Sequence, residues 1–315
     1  MQLDELRRFA FRIVQTYDHV VGGAKDAACE PYAEHQIMPT STQVNEPKIV
    51  VMPDVQASRD DRNIAIDRVG VKHIRYPISL RCPATDGVQH TVARVNMFVG
   101  LPHYQKGTHM SRFLEVLNRH HGELRSDHIM DVVDDMRRRL EAEEAHLDLT
   151  FPYFIDKKAP VTGSPGKLDV EVTFEASSSS DKAHDDFVMG IKVPGASLCP
   201  CSKEISDYGA HNQRCEMEAK VRFAPGKYMW IEELFEIVEC CASVPVYAVL
   251  KRPDEKFVTE QAYDSPKFVE DIVRDLALML DDEPRVVWYQ ITSENFESIH
   301  NHNAYACIER GKLRG

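Results

Sequence analysis

The sequence predicts an α+β protein in which antiparallel sheets carry helices on one face, arranged as two tandem units of similar design. Three observations predict it. From about Val69 onward the hydrophobic periodicity reads two strands, two helices, two strands, and then reads through that order again. The strands come in successive pairs, as antiparallel neighbours do, and do not alternate singly with helices as in a doubly wound parallel sheet. The length of 315 residues exceeds the usual single-domain size, and a duplicated unit explains it. The expected boundaries are an amino-terminal extension over residues 1–46, a first unit over 47–178 and a second over 179–315.

In the first unit His73 to Arg81 and Val88 to Leu101 read as a hairpin around the turn at Asp86-Gly87. Met110, Phe113, Leu114 and Leu117 then fall at helical spacing, and Ile129, Val132, Val133, Met136 and Leu140 do so again behind Ser126 as a cap. Strands near His146 to Phe154 and Leu168 to Glu175 close the unit. The tract Ala176-Ser-Ser-Ser-Ser-Asp-Lys182 reads as a linker. The second unit opens with Asp186 to Val193 and returns in Arg214 to Phe223, where Cys215, Met217, Ala219, Val221 and Phe223 face one way. Helices follow at Ile231 to Cys241 and at Pro266 to Leu280, the latter with Ser265 as cap and Pro266 as first residue. Strands at Arg285 to Ser293 and His302 to Arg310 finish it. Two insertions distinguish this unit: a cysteine loop between its first strands, and a long connection, Pro245 to Ser265, between its helices. Inserted loops on a rigid scaffold are where sites tend to lie. In the extension Leu3, Leu6, Phe9, Ile13 and Val14 line a short amphipathic helix, after which Pro31, Pro39 and Pro47 suggest extended chain. A docking arm, a disordered tail and an over-long translation start all fit it.

Composition narrows the function class. A formal charge of −12 argues against nonspecific nucleic-acid or membrane binding. No apolar run approaches the ~20 residues that span a bilayer. The first residues mix both charge signs, unlike an export signal, so a cytoplasmic protein is expected, with its eight cysteines as thiols and not a disulfide framework.

The chemistry concentrates in Ser197-Leu-Cys-Pro-Cys-Ser and Gly209-Ala-His-Asn-Gln-Arg214. Cys199, Cys201 and His211 lie close together on a segment whose Pro200 and Gly209 suggest a loop that is neither helix nor strand. Thiolate and imidazole are ligands for zinc and related ions, and a site with three protein ligands leaves a position open to water. One of the two thiols coordinates while the other packs or supports. His211 is polar on both flanks, unlike a core histidine. Glu255 in Lys251-Arg-Pro-Asp-Glu-Lys256 reads by itself as a solvated charge, and Glu270 as a carboxylate favoured by a helix start. Glu270 is also able to accept two hydrogen bonds from a purine edge. His300 and His302, between the last two strands, suit proton transfer near neutral pH. Lys106, His109, Ser111 and Arg112 gather at a helix start that suits phosphate and equally suits an ordinary capped helix.

These motifs, with Lys106-Gly-Thr-His-Met-Ser-Arg-Phe113, Leu250-Lys-Arg-Pro-Asp-Glu-Lys256, Lys267-Phe-Val-Glu-Asp271 and Met52-Pro-Asp-Val-Gln56, together resemble type IB GTP cyclohydrolase, the prokaryotic metal-dependent family of folate synthesis. The match runs in order from about Val51 to the carboxyl terminus. The resemblance implies a tunnelling fold with two units per chain, an oligomeric barrel, and a homotetramer with active sites between subunits. It implies one divalent ion, zinc, manganese or iron, held by Cys199, His211 and Glu255, with Glu270 as guanine anchor and His300, helped by His302, moving protons. Water activated at the ion would add to C8 of GTP. Formate would leave, and ring closure would give 7,8-dihydroneopterin triphosphate, the first step toward tetrahydrofolate. Lys106, His109, Ser111 and Arg112 would meet the triphosphate, Lys106 and Arg112 from another subunit. Two rival readings stand beside it: a tunnelling-fold nitrile reductase using Cys199 as nucleophile with a nicotinamide cofactor, and a non-enzymatic protein with a closed structural zinc site.

Overall fold

A computed structural model describes residues 53–82, 87–120 and 127–311. The helix expected around Leu3 to Val14, the prolines at 31, 39 and 47, Met52, the turn residue Asp86 and the cap Ser126 lie outside the described residues. Residues 56–315 belong to one compact unit.

Among the described residues one antiparallel sheet of nine strands runs through the unit. Strands β1 (Ile66–Cys82) and β2 (Gly87–Leu101) form the hairpin, followed by helices α1 (Met110–Arg119) and α2 (Ile129–Arg139) and strands β3 (Glu144–Lys158) and β4 (Pro165–Ser179). Next come β5 (Asp186–Leu198), the short helix α3 (Pro200–Ile205), β6 (Asn212–Phe223) and α4 (Ile231–Glu239). The two-residue strand β7 (Val244–Pro245), helices α5 (Arg252–Asp264) and α6 (Val269–Asp281), and strands β8 (Val286–Asn295) and β9 (Ala304–Gly311) complete it. The sheet order is β1-β2-β3-β4-β5-β6-β8-β9, with β7 paired to the end of β5. The first half follows the two-strand, two-helix, two-strand order, whereas the second adds α3 between β5 and β6 and β7 and α5 between α4 and α6; β4 and β5 pair directly, Val172 opposite Ile191 and Phe174 opposite Met189.

Strict alternation builds the core. Val95, Met97, Leu147, Leu149, Val172, Phe174, Ile191, Val193, Met217, Ala219 and Ile291 are buried on one face of the sheet. The helices add Phe113, Val133, Leu234, Val238, Ile272 and Leu276 to the same cluster. The opposite face carries charged residues paired across strands, Lys220 with Glu175 at 2.7 Å and Lys192 with Glu216 at 3.4 Å. This is the α+β class expected, antiparallel with helices on one face. Among the described residues no helix is long and apolar enough to cross a membrane.

Four local expectations are corrected. The tract from Ala176 is no linker: Ala176 to Ser179 continue β4 and pair with β3. Ala176 and Ser178 are buried, and the Ser178 hydroxyl donates to Asp134 at 3.2 Å, so small side chains let the strand run on. The connection from Pro245 to Ser265 contains helix α5, which buries only Asp254 and Ala262 and so shows little apolar periodicity. The last long helix starts at Val269 and not at Pro266. The Lys267 N–H is bonded to Leu198 O at 3.0 Å, which holds that stretch against β5, and the N-cap is Phe268, whose N–H donates to the Asp271 carboxylate at 3.0 Å. The strand expected from His302 begins at Ala304, leaving His302 in the preceding loop.

Phe174 is buried edge-on between Phe151 and Phe187, with ring centroids 5.3 and 5.5 Å away. Phe174→Ala opens a cavity at the β4–β5 junction and is expected to cost about 3–5 kcal/mol. Guanidinium unfolding checks this: the midpoint falls with the slope unchanged, and a midpoint equal to wild type would show that the junction is not part of the cooperative core.

Candidate functional site

The site begins where β5 runs out. Its last residues leave β4, pair with β6 as far as Leu198 opposite Asn212, and touch β7 on the other side. Cys199 follows as the N-cap of α3, with Pro200 in its first turn, where a fixed φ suits helix entry. The cysteine segment therefore is not all loop: residues 200–205 are helical. The Cys199 Sγ accepts from the Ser202 N–H at 3.4 Å. Gly209, at φ +117°, adopts a backbone that a side chain would strain, and it brings the chain back to His211.

Cys199 and His211 are neighbours across this turn. The Cys199 N–H donates to the His211 carbonyl at 3.1 Å. Ser202 bridges them as well, its hydroxyl donating to Cys199 O and accepting from the His211 N–H, both at 3.2 Å. Both residues are half-buried, whereas Cys201 is exposed. The His211 Nδ1 lies 3.0 Å from Gln213 Oε1 and 3.5 Å from Ser298 Oγ. Ser298 belongs to the loop between β8 and β9, so the segment carrying His300 and His302 reaches His211. Those two exposed imidazoles stack at 5.1 Å with planes 15° apart.

Glu255 stands in the first turn of α5 and is exposed. Three and seven residues further along that helix, Val258 and Ala262 pack with Leu198 and Ala210, the residues preceding Cys199 and His211. The helix face that carries Glu255 is thus the face laid on the segments of Cys199 and His211. Among the described residues no three His, Cys, Asp or Glu side chains stand close enough to form a ready cation cluster, so the carboxylate is not gathered with the thiol and imidazole. Glu270 is exposed in the first turn of α6, three residues beyond Lys267.

Lys106, His109, Ser111 and Arg112 lie elsewhere in the sheet order. They precede and begin α1, which follows β2, and β3 and β4 separate them from β5. Their loop is held by the segment before β1: Lys106 N–H donates to Ser58 O and Gly107 N–H to Gln56 O, each at 3.0 Å. Arg112 is half-buried, with Nη1 3.4 Å from Arg139 O.

Sequence reasoning missed Ser202, which touches Cys199 and His211, Gln213 and Ser298, which touch His211, and Asp254, which sets the start of α5. Asp254 is fully buried and accepts from Val161 N–H (2.9 Å), Thr162 N–H (2.8 Å), Thr162 hydroxyl (2.7 Å) and Lys251 N–H (2.8 Å). A carboxylate three residues after the helix N-cap is the one available signal. The buried Cys215 thiol is unsuited to chemistry: burial pushes it up to about 12.

Residues 52–306 match the model of a family described as type I GTP cyclohydrolase folE2. The GTP cyclohydrolase FolE2 of Syntrophobacter fumaroxidans is 54% identical over 261 residues, 83% of this chain and 100% of that protein. The FolE2 of Geotalea uraniireducens is also 54% identical over 261 residues, covering 83% and 94%. Among solved structures, the uricase of Arthrobacter globiformis aligns with a TM-score of 0.48 at 8% identity, over 79% of this chain and 95% of that one, a likeness too loose to carry an argument.

The anchor of α5 gives a direct test. Burial alone would raise the Asp254 carboxyl, but the hydrogen bonds from Thr162, Lys251 and Val161 outweigh it and hold it at about 2, against an ordinary 3.8. Between those values the unfolded chain binds the proton and the folded chain does not, so this contribution is complete above about pH 4 and is lost as pH falls toward 2. Asp254→Asn is expected to flatten that part of the acid-unfolding profile and to speed amide exchange in the first turn of α5. An unchanged profile and unchanged exchange would refute the anchor.

Proposed function

The chain belongs to the type I GTP cyclohydrolase FolE2 family, and on that footing we propose that it converts GTP to 7,8-dihydroneopterin triphosphate and formate as a cytoplasmic enzyme of folate synthesis. The observation that carries the site assignment is the juxtaposition of Cys199 and His211, closed by backbone and Ser202 hydrogen bonds and reached by the loop of His300. Relatives carrying the cyclohydrolase name match over 94–100% of their length, which favours hydrolysis over the reductase reading.

The donor set fits a divalent ion. A thiol and an imidazole are carried on segments joined by the Cys199 N–H to His211 carbonyl bond, and Glu255, on the helix face that packs beside them, would supply the third ligand. Sulfur, nitrogen and oxygen together suit zinc, manganese or iron. When bound, such an ion acts as a Lewis acid and activates water at neutral pH. The chain's own groups do the rest. Glu270 accepts from N1–H and the N2 amine of guanine, a pair of donors that adenine lacks. His300, with His302 stacked beside it, takes and returns protons as the imidazole ring of the substrate opens and formate leaves. Lys106, His109, Ser111 and Arg112 meet the triphosphate.

A homotetramer with shared sites accounts for the separation of these groups. Two strands lie between the segment of Lys106 and that of Cys199, so a triphosphate held by Lys106 and Arg112 is most simply that of a site on a neighbouring subunit. On this reading the stretches 47–178 and 179–315 are two tunnelling-fold units whose strands, continuous in one sheet among the described residues, would line such a barrel.

Incubation with GTP, followed by detection of formate and of a fluorescent oxidised pterin, tests the reading. Product is expected only without chelator, and readdition of zinc, manganese or iron restores it. Chelator-resistant turnover would remove the metal from the reaction, and absence of product from folded, metal-loaded protein would remove the activity. Cys199→Ala and His211→Ala are expected to abolish metal retention and turnover together. Glu270→Gln, which loses a charged acceptor, should lower kcat/KM about 10- to 100-fold while metal content stays at the wild-type level.

A further inference from the structure

Gln213 is buried, yet it is a polar residue on a strand whose other inward positions, Cys215, Met217, Ala219 and Val221, are apolar. It stands opposite Ser197 in the β5–β6 register, two residues beyond His211. The two-residue period of the strand puts both side chains on one side, so the amide lies against the imidazole, with Oε1 3.0 Å from Nδ1. A carbonyl oxygen only accepts, so Nδ1 carries the hydrogen and donates it. A neutral ring with its proton on Nδ1 keeps its lone pair on Nε2. Ser298 Oγ, at 3.5 Å from the same Nδ1, is the weaker partner.

We infer that Gln213 is a positioning residue for the metal centre: it fixes the tautomer and ring orientation of His211 so that Nε2 faces a divalent cation as a ligand. A buried amide at this place has a cost that a hydrophobic side chain would avoid, and its bond to the imidazole is what offsets that cost. Partners of this kind, which bond the distal nitrogen of a ligating histidine, tune metal affinity by about 10- to 100-fold. The inference rests on the metal reading above and adds a residue to it.

Cobalt(II) titration of the full-length apo-protein tests it, read by the thiolate-to-cobalt charge-transfer absorption and by competition with a chromophoric chelator. Gln213→Met keeps length and volume but removes the acceptor; it is expected to weaken cobalt binding about 10- to 100-fold. Gln213→Glu keeps an acceptor at the same reach and should bind at least as tightly as wild type, a rescue that a purely structural role would not produce. The apo-protein's thermal midpoint is followed for each variant, and if Gln213→Met does not fold, Gln213→Asn, which withdraws the acceptor by one methylene, is read in the same way. Wild-type affinity in a folded Gln213→Met or Gln213→Asn protein overturns this inference alone. No charge-transfer band in the wild type overturns the metal reading and this inference with it.

Discussion

The end of β5 cannot move independently of three other parts of the chain, and the site depends on that constraint. Four hydrogen bonds among buried groups tie it down: Lys267 N–H to Leu198 O (3.0 Å), Ser197 hydroxyl to Lys267 O (3.0 Å), Leu198 N–H to Ser243 hydroxyl (3.2 Å) and Asn295 amide to Ser197 hydroxyl (3.1 Å). Ser197, Ser243, Lys267 and Asn295 are all buried, so a broken bond is not made good by water, at a typical cost of about 1–3 kcal/mol for each group left unpaired. Four of the segments proposed for the chemistry leave from this knot. Cys199 follows Leu198, Glu270 comes three residues after Lys267, and the loop of His300 starts after Asn295. His211 precedes Asn212, which pairs with Leu198. The knot thereby sets the spacing between the thiol and the carboxylate proposed to hold guanine.

The three longer helices of the second half are entered by one recurring device. An acidic side chain three residues after the N-cap accepts that residue's N–H: Glu233 from Trp230 at 2.7 Å, Asp254 from Lys251 at 2.8 Å, and Asp271 from Phe268 at 3.0 Å. In α4 and α6 the device merely starts a helix that its apolar face would stabilise anyway. In α5, which buries little, it carries more of the load, and Asp254 extends it by binding the turn between β3 and β4. A weakly packed helix is thus held at the end where Glu255 stands.

Much of the fold was legible because burial is one-sided. Alternation along β6 and the i, i+3, i+4 pattern of α6 both record a single buried face, and periodicity reports that directly. Helix α5 was not legible for the same reason inverted: a helix with two buried residues in thirteen leaves almost no periodic trace. Ser178 and Ser179 looked like linker because serine says little about its environment, and only the bonds to Asp134 and Asp185 reveal a strand. At the site, Cys199 and His211 stood out by residue type and by lying in polar company. Gln213, Ser202 and Ser298 did not, since nothing separates them from other polar residues except the hydrogen bonds that tertiary folding creates.

The two surfaces around the site differ in what they ask of a partner. On the helix-free face of the sheet charges satisfy one another, as in Arg222 with Asp186 at 2.8 Å, and such a face rests comfortably against water. The rim of the site is the reverse. Tyr208 is fully exposed and Ile205 is 78% exposed on the cysteine segment, Phe268 is exposed beside Glu270, and Phe296 and Ile299 are exposed on the loop of His300. Scattered apolar residues need no explanation, but here several large ones are exposed on the three segments that leave one buried knot. A second copy of the chain covering that rim would exclude water from the reacting groups and bring Lys106 and Arg112 to the substrate in one step. The same contact would then finish the hydrophobic surface and complete the active site, which ties the proposed assembly to the proposed chemistry.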